Sequence, residues 1–87
     1  PEYIVEIFKK QEGKCALSGV ELDIISKINN GSLDRIDSSK GYVEGNIQWV
    51  HKSINIVKKN IPDLLFIQMC NAVANKNPAS PISDIRV

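Results

Sequence analysis

The chain has 87 residues, enough for one small domain with a modest core. Its net charge of +1 is low for a nucleic-acid-binding protein judged on total charge alone. No apolar stretch approaches the length of a membrane span, so the sequence argues against a membrane-spanning protein, and no signal peptide is visible.

The two cysteines, Cys15 and Cys70, are too few for a disulfide scaffold, although one bridge between them stays open. Such a low number of cysteines favours a reducing compartment, and we expect a cytoplasmic protein. Because the chain begins at Pro1 without an initiator Met, we also expect it to be part of a longer protein.

The first predicted element is a helix over 2–11, which Gly13 ends. Its apolar face comprises Tyr3, Ile4, Ile7 and Phe8. Residues 15–19 predict a tight turn, and residues 29–31 predict a second turn. Between them, the segment 20–25 has a β-prone composition but an irregular pattern, so its secondary structure stays ambiguous.

Two short strands follow, at 33–37 and 47–50. Leu33 and Ile36 are the expected apolar anchors of the first strand. Residues 38–41 have turn chemistry, and the link between the strands is long enough to be an ordered loop.

A helix is expected next, with an apolar stripe of Val50, Ile54, Val57 and, as an optional member, Ile61. The opposite face carries His51, Asn55, Lys58 and Lys59. A last helix over 63–74 is expected to bury most of Leu64, Leu65, Ile67, Met69, Cys70 and Val73. Pro78 stops it, which gives a single domain over 1–78 and an extended tail over 79–87.

Three segments, LDRIDSSKGY, GNIQWVHK and IN, occur in an order and spacing that resembles the HNH, or ββα-metal, endonucleases, above all the phage-type members. The resemblance covers 15–59. It implies an α+β domain in which a β-hairpin with a long loop packs on a helix, flanked by additional helices. The implied function is metal-dependent hydrolysis of DNA phosphodiester bonds in a bacterial or phage-infected cell, with a further DNA-recognition domain possible elsewhere in the protein. Oligomeric state and DNA sequence preference stay open.

The resemblance also implies roles for individual residues. Asp34 matches the metal-binding Asp, Asn55 the ligand on the helix, and Asn46 the Asn that orients the general base. Carboxylate and amide oxygens suit Mg²⁺ or Mn²⁺, so the implied cofactor is one such ion on Asp34 and Asn55.

Arg35 stands where the family has its general-base His. Arginine stays protonated and cannot take a proton from water. Three alternatives stay open: Asp37, His51 or Tyr42 is the base; solvent supplies hydroxide while Arg35 binds phosphate; or the domain is a catalytically impaired module that binds DNA or protein without cutting.

Basic residues are concentrated in the segment that carries the motif. In the nuclease interpretation the phosphate contacts come from Arg35, Lys40, Lys52, Lys58 and Lys59. In the ordinary interpretation the lysines form a solvated helix face, Arg35 pairs with Asp37 or Glu44, and His51 caps the helix.

Some relatives in the implied family carry a structural zinc. Only Cys15 and His51 remain of the four ligands that such a closed site needs, so structural zinc is not expected. We expect a core around Leu17, Trp49 and Val50 to take its place.

Overall fold

The computed structural model describes residues 2–78, so the tail predicted over 79–87 lies outside the described residues. The chain folds as a small α+β domain with one antiparallel hairpin and three helices, as the sequence predicts at this coarse level. The elements in order are α1 Glu2–Lys10, β1 Gly31–Arg35, β2 Ile47–His51, α2 Lys52–Lys58 and α3 Asp63–Lys76. None of the described helices combines the length and the apolar character needed to cross a bilayer.

The hairpin pairs Leu33 with Trp49 and Asp34 with Gln48. Strand β1 begins two residues earlier than predicted, and Gly31 is its first residue rather than part of a turn. A Cβ built on Gly31 would lie 2.6 Å from Ile24 Cγ2, so the segment before the strand packs where only glycine leaves room.

The first strand ends at Arg35, so Ile36 and Asp37 belong to the loop over 36–46. The prediction that Ile36 anchors the strand is therefore wrong, and its side chain is exposed. Asp37 likewise does not share a strand face with Arg35. The last ladder pair is Arg35 with Ile47, and beyond it the amides of Ile36 and Asp37 donate to Asn46, which turns the chain into the loop.

Helix α1 covers one face of the hairpin through Trp49, and the predicted helix is confirmed. The Trp49 ring meets Phe8 edge to face at a centroid distance of 5.7 Å, and its Nε1 donates to the Ile4 carbonyl at 2.9 Å. The Gln11 side chain also bonds both the amide and the carbonyl of Trp49. Gly13, at a φ of +70°, turns the chain away after the helix.

The small core lies beside this contact. Its buried members are Cys15, Leu22 and Val50, and the partly buried residues packed against them are Phe8, Leu17, Trp49 and Ile54. Leu17, Trp49 and Val50 therefore belong to one cluster, as the sequence predicts.

Helix α2 follows β2 without a linker and packs on both strands. Two expectations about its faces are wrong. Val57 is 69% exposed, whereas Lys58, expected on a solvated face, has no exposed surface. The reason is that Ser32 and Asp34 of β1 point toward this helix, so it presents polar side chains, not apolar ones, to the strand.

Helix α3 was expected to bury most of its apolar residues, and this is wrong for the described part of the chain. Phe66 is its one buried residue. The exposed members are Leu64, Leu65, Ile67, Met69, Cys70 and Val73. Among the described elements no second layer covers this helix, so its hydrophobic composition does not translate into burial.

Candidate functional site

A buried ion cluster joins β1, α2 and α3. Lys58 Nζ lies 2.6 Å from Asp34 Oδ2 and 2.6 Å from Asp63 Oδ1, and it donates to the Arg35 carbonyl at 3.0 Å. Asp34 is 3% exposed. An ammonium group has three protons to donate, so these three oxygens use its full capacity.

The Gln48 side chain completes the cluster from the neighbouring strand. Its Nε2 donates to Asp34 Oδ2 and to Asp63 Oδ2, each at 2.9 Å. Burial alone would lower the pKa of Lys58. The hydrogen bonds and charges of Asp34 and Asp63 outweigh it and raise that pKa above 10.5, so Lys58 is a permanent cation at neutral pH.

Asn55, the second implied metal ligand, lies on the same side of the hairpin as Asp34. Its Nδ2 donates to Ser32 Oγ at 2.7 Å and to the Leu33 carbonyl at 3.2 Å. Ser32 and Asp34 are two apart on β1 and share one strand face. Asp34 and Asn55 therefore both take part in the contact between β1 and α2, where Asn55 bonds Ser32 and Leu33 and Asp34 bonds Lys58.

In this structure Asp34 Oδ2 and Asn55 Nδ2 are both engaged by other groups of the protein. The Asp34 carboxylate is already paired with the Lys58 ammonium, and Asn55 turns its amide nitrogen, which cannot ligate a metal, toward the strand. Among residues 2–78 there is also no group of three or more His, Cys, Asp or Glu side chains that could hold a metal.

Arg35 closes the loop over 36–46 onto the end of α2. Its Nη1 donates to the carbonyls of Ser38 and Lys40 at 3.0 and 3.3 Å, and its Nη2 donates to Asn60 Oδ1 at 3.3 Å. The guanidinium lies 5.4 Å from the centroid of the Tyr42 ring, within the range of a cation–π contact. No ion pair joins Arg35 to Asp37 or Glu44 in the described chain.

Asn46 holds the same loop from inside. Its Oδ1 accepts from the Asp37 amide at 2.9 Å, and its Nδ2 donates to the carbonyls of Asp37 and Gly41 at 3.1 and 2.9 Å. The residue is 6% exposed. The Asn46 side chain therefore closes the loop over 36–46 by bonding both of its sides.

Three residues are the alternative candidates for the general base. Hydrogen bonds from the Ser39 hydroxyl and then the Ser39 amide lower the pKa of Asp37, which makes it an anion but a weak base. His51 is buried, and its Nδ1 caps α2 by accepting from the Ser53 amide at 3.1 Å. Tyr42 is 58% exposed beneath Arg35.

The exposed lysines are spread over the described chain: Lys9, Lys10, Lys14, Lys27, Lys40, Lys52, Lys59 and Lys76. Three of them, Lys40, Lys52 and Lys59, lie in the segment that carries the sequence motif. The Arg35 bonds bring the Lys40 carbonyl next to Asn60, which follows Lys59 in the chain, so Lys40 and Lys59 belong to one edge. We call this edge, Arg35, Lys40, Tyr42 and Lys59, the basic edge. Lys52 begins α2 at its other end.

Cys15 and His51, the two residues considered as zinc ligands, are both buried. Cys15 Sγ accepts from the amides of Ser18 and His51 at 3.4 and 3.3 Å. The thiol is buried among apolar neighbours, and His51 uses its ring nitrogen for the helix cap.

Sequence reasoning missed Gln48, Asp63 and the true place of Lys58. The sequence marks Asp63 only as the start of a helix after Pro62. It predicts Lys58 as a phosphate contact or a solvated lysine, and both predictions are wrong because Lys58 is fully buried against Asp34 and Asp63. One signal was available: Asp34 and Gln48 alternate with apolar residues on strands expected to pack under a helix, so that face required a polar partner.

Comparison of the chain with protein-family models, with curated proteins and with solved structures finds no match. Its function is therefore inferred from its residues and their geometry.

Proposed function

We propose that this domain binds DNA through the basic edge and does not cut it unaided. It would be the catalytically impaired form of an HNH-like domain. The observation that carries the proposal is the state of Asp34: the carboxylate that would hold the metal is 3% exposed and pairs with Lys58 at 2.6 Å.

A nuclease metal must contact both its protein ligand and the scissile phosphate. Asp34 Oδ2 accepts from both Lys58 and Gln48, so protein donors occupy the oxygen that a metal would need, and only 3% of the residue is exposed. Breaking a buried pair by removing one partner typically costs about 3–5 kcal/mol, so the Lys58 ammonium is not readily exchanged for a hydrated ion.

The basic edge supplies the DNA contacts. Lys40 and Lys59 are exposed, and the Arg35 guanidinium is partly exposed above Tyr42. Three such cations predict a log–log salt dependence of binding with a slope of roughly −2 to −3, since each neutralised phosphate contributes about −0.9. Tyr42 offers an exposed ring on which an unpaired base can stack.

The test is fluorescence anisotropy with labelled duplex DNA over a range of salt. We expect Lys40→Ala with Lys59→Ala to reduce the slope by about 2. The matched control is Lys14→Ala with Lys27→Ala, which removes the same charge from exposed positions outside the edge. Equal weakening by both pairs, or no binding by the natural chain at low salt, would contradict the proposal.

Metal-dependent cleavage is the second candidate. It is favoured by one observation: Asp34 on β1 and Asn55 on α2 lie on the same side of the hairpin. In this case Lys58 would have to leave Asp34 before a Mg²⁺ or Mn²⁺ ion could bind.

A plasmid-nicking assay with Mg²⁺ or Mn²⁺ separates the two candidates. Nicking that Asp34→Ala abolishes would favour the enzyme. Retained DNA binding without nicking would favour the non-cleaving module, and nicking that survives Asp34→Ala would exclude Asp34 as the metal ligand.

A further inference from the structure

We propose that two copies of this chain pair through helix α3, with the two helices antiparallel and related by a two-fold axis. The contact surface is a stripe of four residues on one side of the helix, Phe66, Met69, Cys70 and Val73, which we call the α3 stripe. The inference goes beyond the proposed function because it holds whether or not the chain binds DNA.

The α3 stripe continues the side of the helix that packs on the domain. Phe66, its first member, is 9% exposed, whereas Met69 and Val73, one and two turns later, are 47% and 64% exposed. The opposite side of the helix carries the polar residues Gln68, Asn71 and Asn75. An amphipathic helix packs its apolar side on another element, and within residues 2–78 that contact stops after Phe66.

The spacing of the α3 stripe is the same when it is read in reverse, so the stripe is complementary to itself. In an antiparallel pair centred between Met69 and Cys70, Met69 of each copy faces Cys70 of the other, and Phe66 faces Val73. Each contact joins a larger side chain to a smaller one, which lets the two helices interdigitate. A second copy of the chain therefore matches the stripe along its whole length.

The charges of α3 favour the antiparallel orientation. No charged residue lies between Asp63 and Lys76, so pairing along the stripe buries no charge. At one end, two carboxylates, Asp34 and Asp63, surround the single ammonium of Lys58, which leaves a net charge of −1, and the Asp63 side chain is 19% exposed. At the other end Lys76 is exposed. Antiparallel pairing brings each Lys76 to the negative end of the second copy.

A cavity beside Phe66 gives the end of the second copy's stripe a place to pack. The cavity is open and apolar, has a volume of about 240 Å³, and is lined by Val20, Ile54, Val57 and Phe66 among others. Because Phe66 faces Val73 in the pair, Val73 of the second copy lies at this cavity. A pair of helices about 21 Å long makes an interface at the small end of the specific range, so we expect a dissociation constant in the micromolar range.

The first experiment is sedimentation equilibrium of the full chain over a series of micromolar concentrations. We expect a monomer–dimer equilibrium, and we expect Met69→Lys to raise its Kd at least about tenfold, because the pair would bury two unpaired ammonium groups. The matched control is Ile25→Lys, at a position 94% exposed and outside α3, which should leave the Kd unchanged. Far-ultraviolet circular dichroism confirms that each variant is folded.

The second experiment tests the orientation of the helices. Cys70 lies next to the two-fold axis, so oxidation with diamide should join the Cys70 thiols of two copies as one disulfide while the diamide is reduced, and Cys70→Ser should abolish this product. Lys76→Glu should raise the Kd by about threefold or more at low salt, and Lys27→Glu, which makes the same change of charge at an exposed position outside α3, should not.

Three results would overturn the inference. A natural chain that stays monomeric throughout the series has no such contact. Equal weakening by Met69→Lys and Ile25→Lys would place the contact elsewhere. Unfolding of Met69→Lys at a dilution where the natural chain is a folded monomer would show that another part of the same chain covers the stripe.

Discussion

Asn46 is predicted to carry more of the stability than any other side chain of the loop over 36–46. Asn46→Ala removes three hydrogen bonds of 2.9–3.1 Å from a residue that is 6% exposed. At ~1 kcal/mol for each bond, the free energy of unfolding should fall by about 3 kcal/mol. That is a large share of the stability of a domain of this size.

Urea unfolding followed by the fluorescence of Trp49, the only tryptophan, measures this loss. With a typical slope for a small protein, the midpoint should fall by roughly 1–3 M urea. The amide of Asp37, which donates to Asn46 Oδ1, should also exchange its hydrogen faster.

The control for this prediction is Asn60→Ala. Asn60 is exposed, and its side chain accepts a single bond, from Arg35 at 3.3 Å. Its loss should cost no more than about 0.5 kcal/mol. If Asn46→Ala costs as little as the control, the loop is held by something other than the three bonds, and the reasoning is refuted.

Three further predictions concern other parts of the domain. Gly31→Ala should destabilise it by about 1–3 kcal/mol because the new Cβ meets Ile24, whereas Gly41→Ala, with no atom within 4 Å, should be neutral in the same urea assay. Because the pKa of Lys58 is raised on folding, its charge adds stability that is fully present below pH 10.5 and is lost as the pH rises through the pKa in the folded state. The free energy of unfolding of the natural chain should therefore fall at alkaline pH, and that of Lys58→Met should not show this fall. The same dependence of stability on alkaline pH in both proteins would contradict the prediction. Cys70, exposed, should react with a thiol reagent in the native state and buried Cys15 only on unfolding; simultaneous labelling would count against the fold.

The elements that the sequence predicts well are those whose pattern is local. Helix α1 has a continuous apolar face and a glycine stop, and β2 is a short β-prone run, so both are found close to their predicted bounds. The loop chemistry around Asn46 was also visible, since a Gly-Asn pair and a run of turn residues predict an ordered connection.

The candidate site was less predictable because its contacts join distant segments. A lysine near a helix end is normally solvated, and only the meeting of Asp34 with Asp63, 29 positions further along the chain, makes burial of Lys58 favourable. In the same way the apolar residues of α3 indicate a helix but not what, if anything, covers it. A periodic pattern shows which face of a helix is apolar, but it does not show which element packs against that face.

The way in which α3 is attached has a consequence for local unfolding. Within the described chain, the ion pair of Asp63 with Lys58, its hydrogen bond from Gln48 and the burial of Phe66 one turn later hold this helix to the rest. Residues beyond that turn are exposed, so the far end should open at low free-energy cost while the hairpin stays closed. Loss of the Lys58 charge would extend that opening back to Phe66 and uncover the aromatic ring.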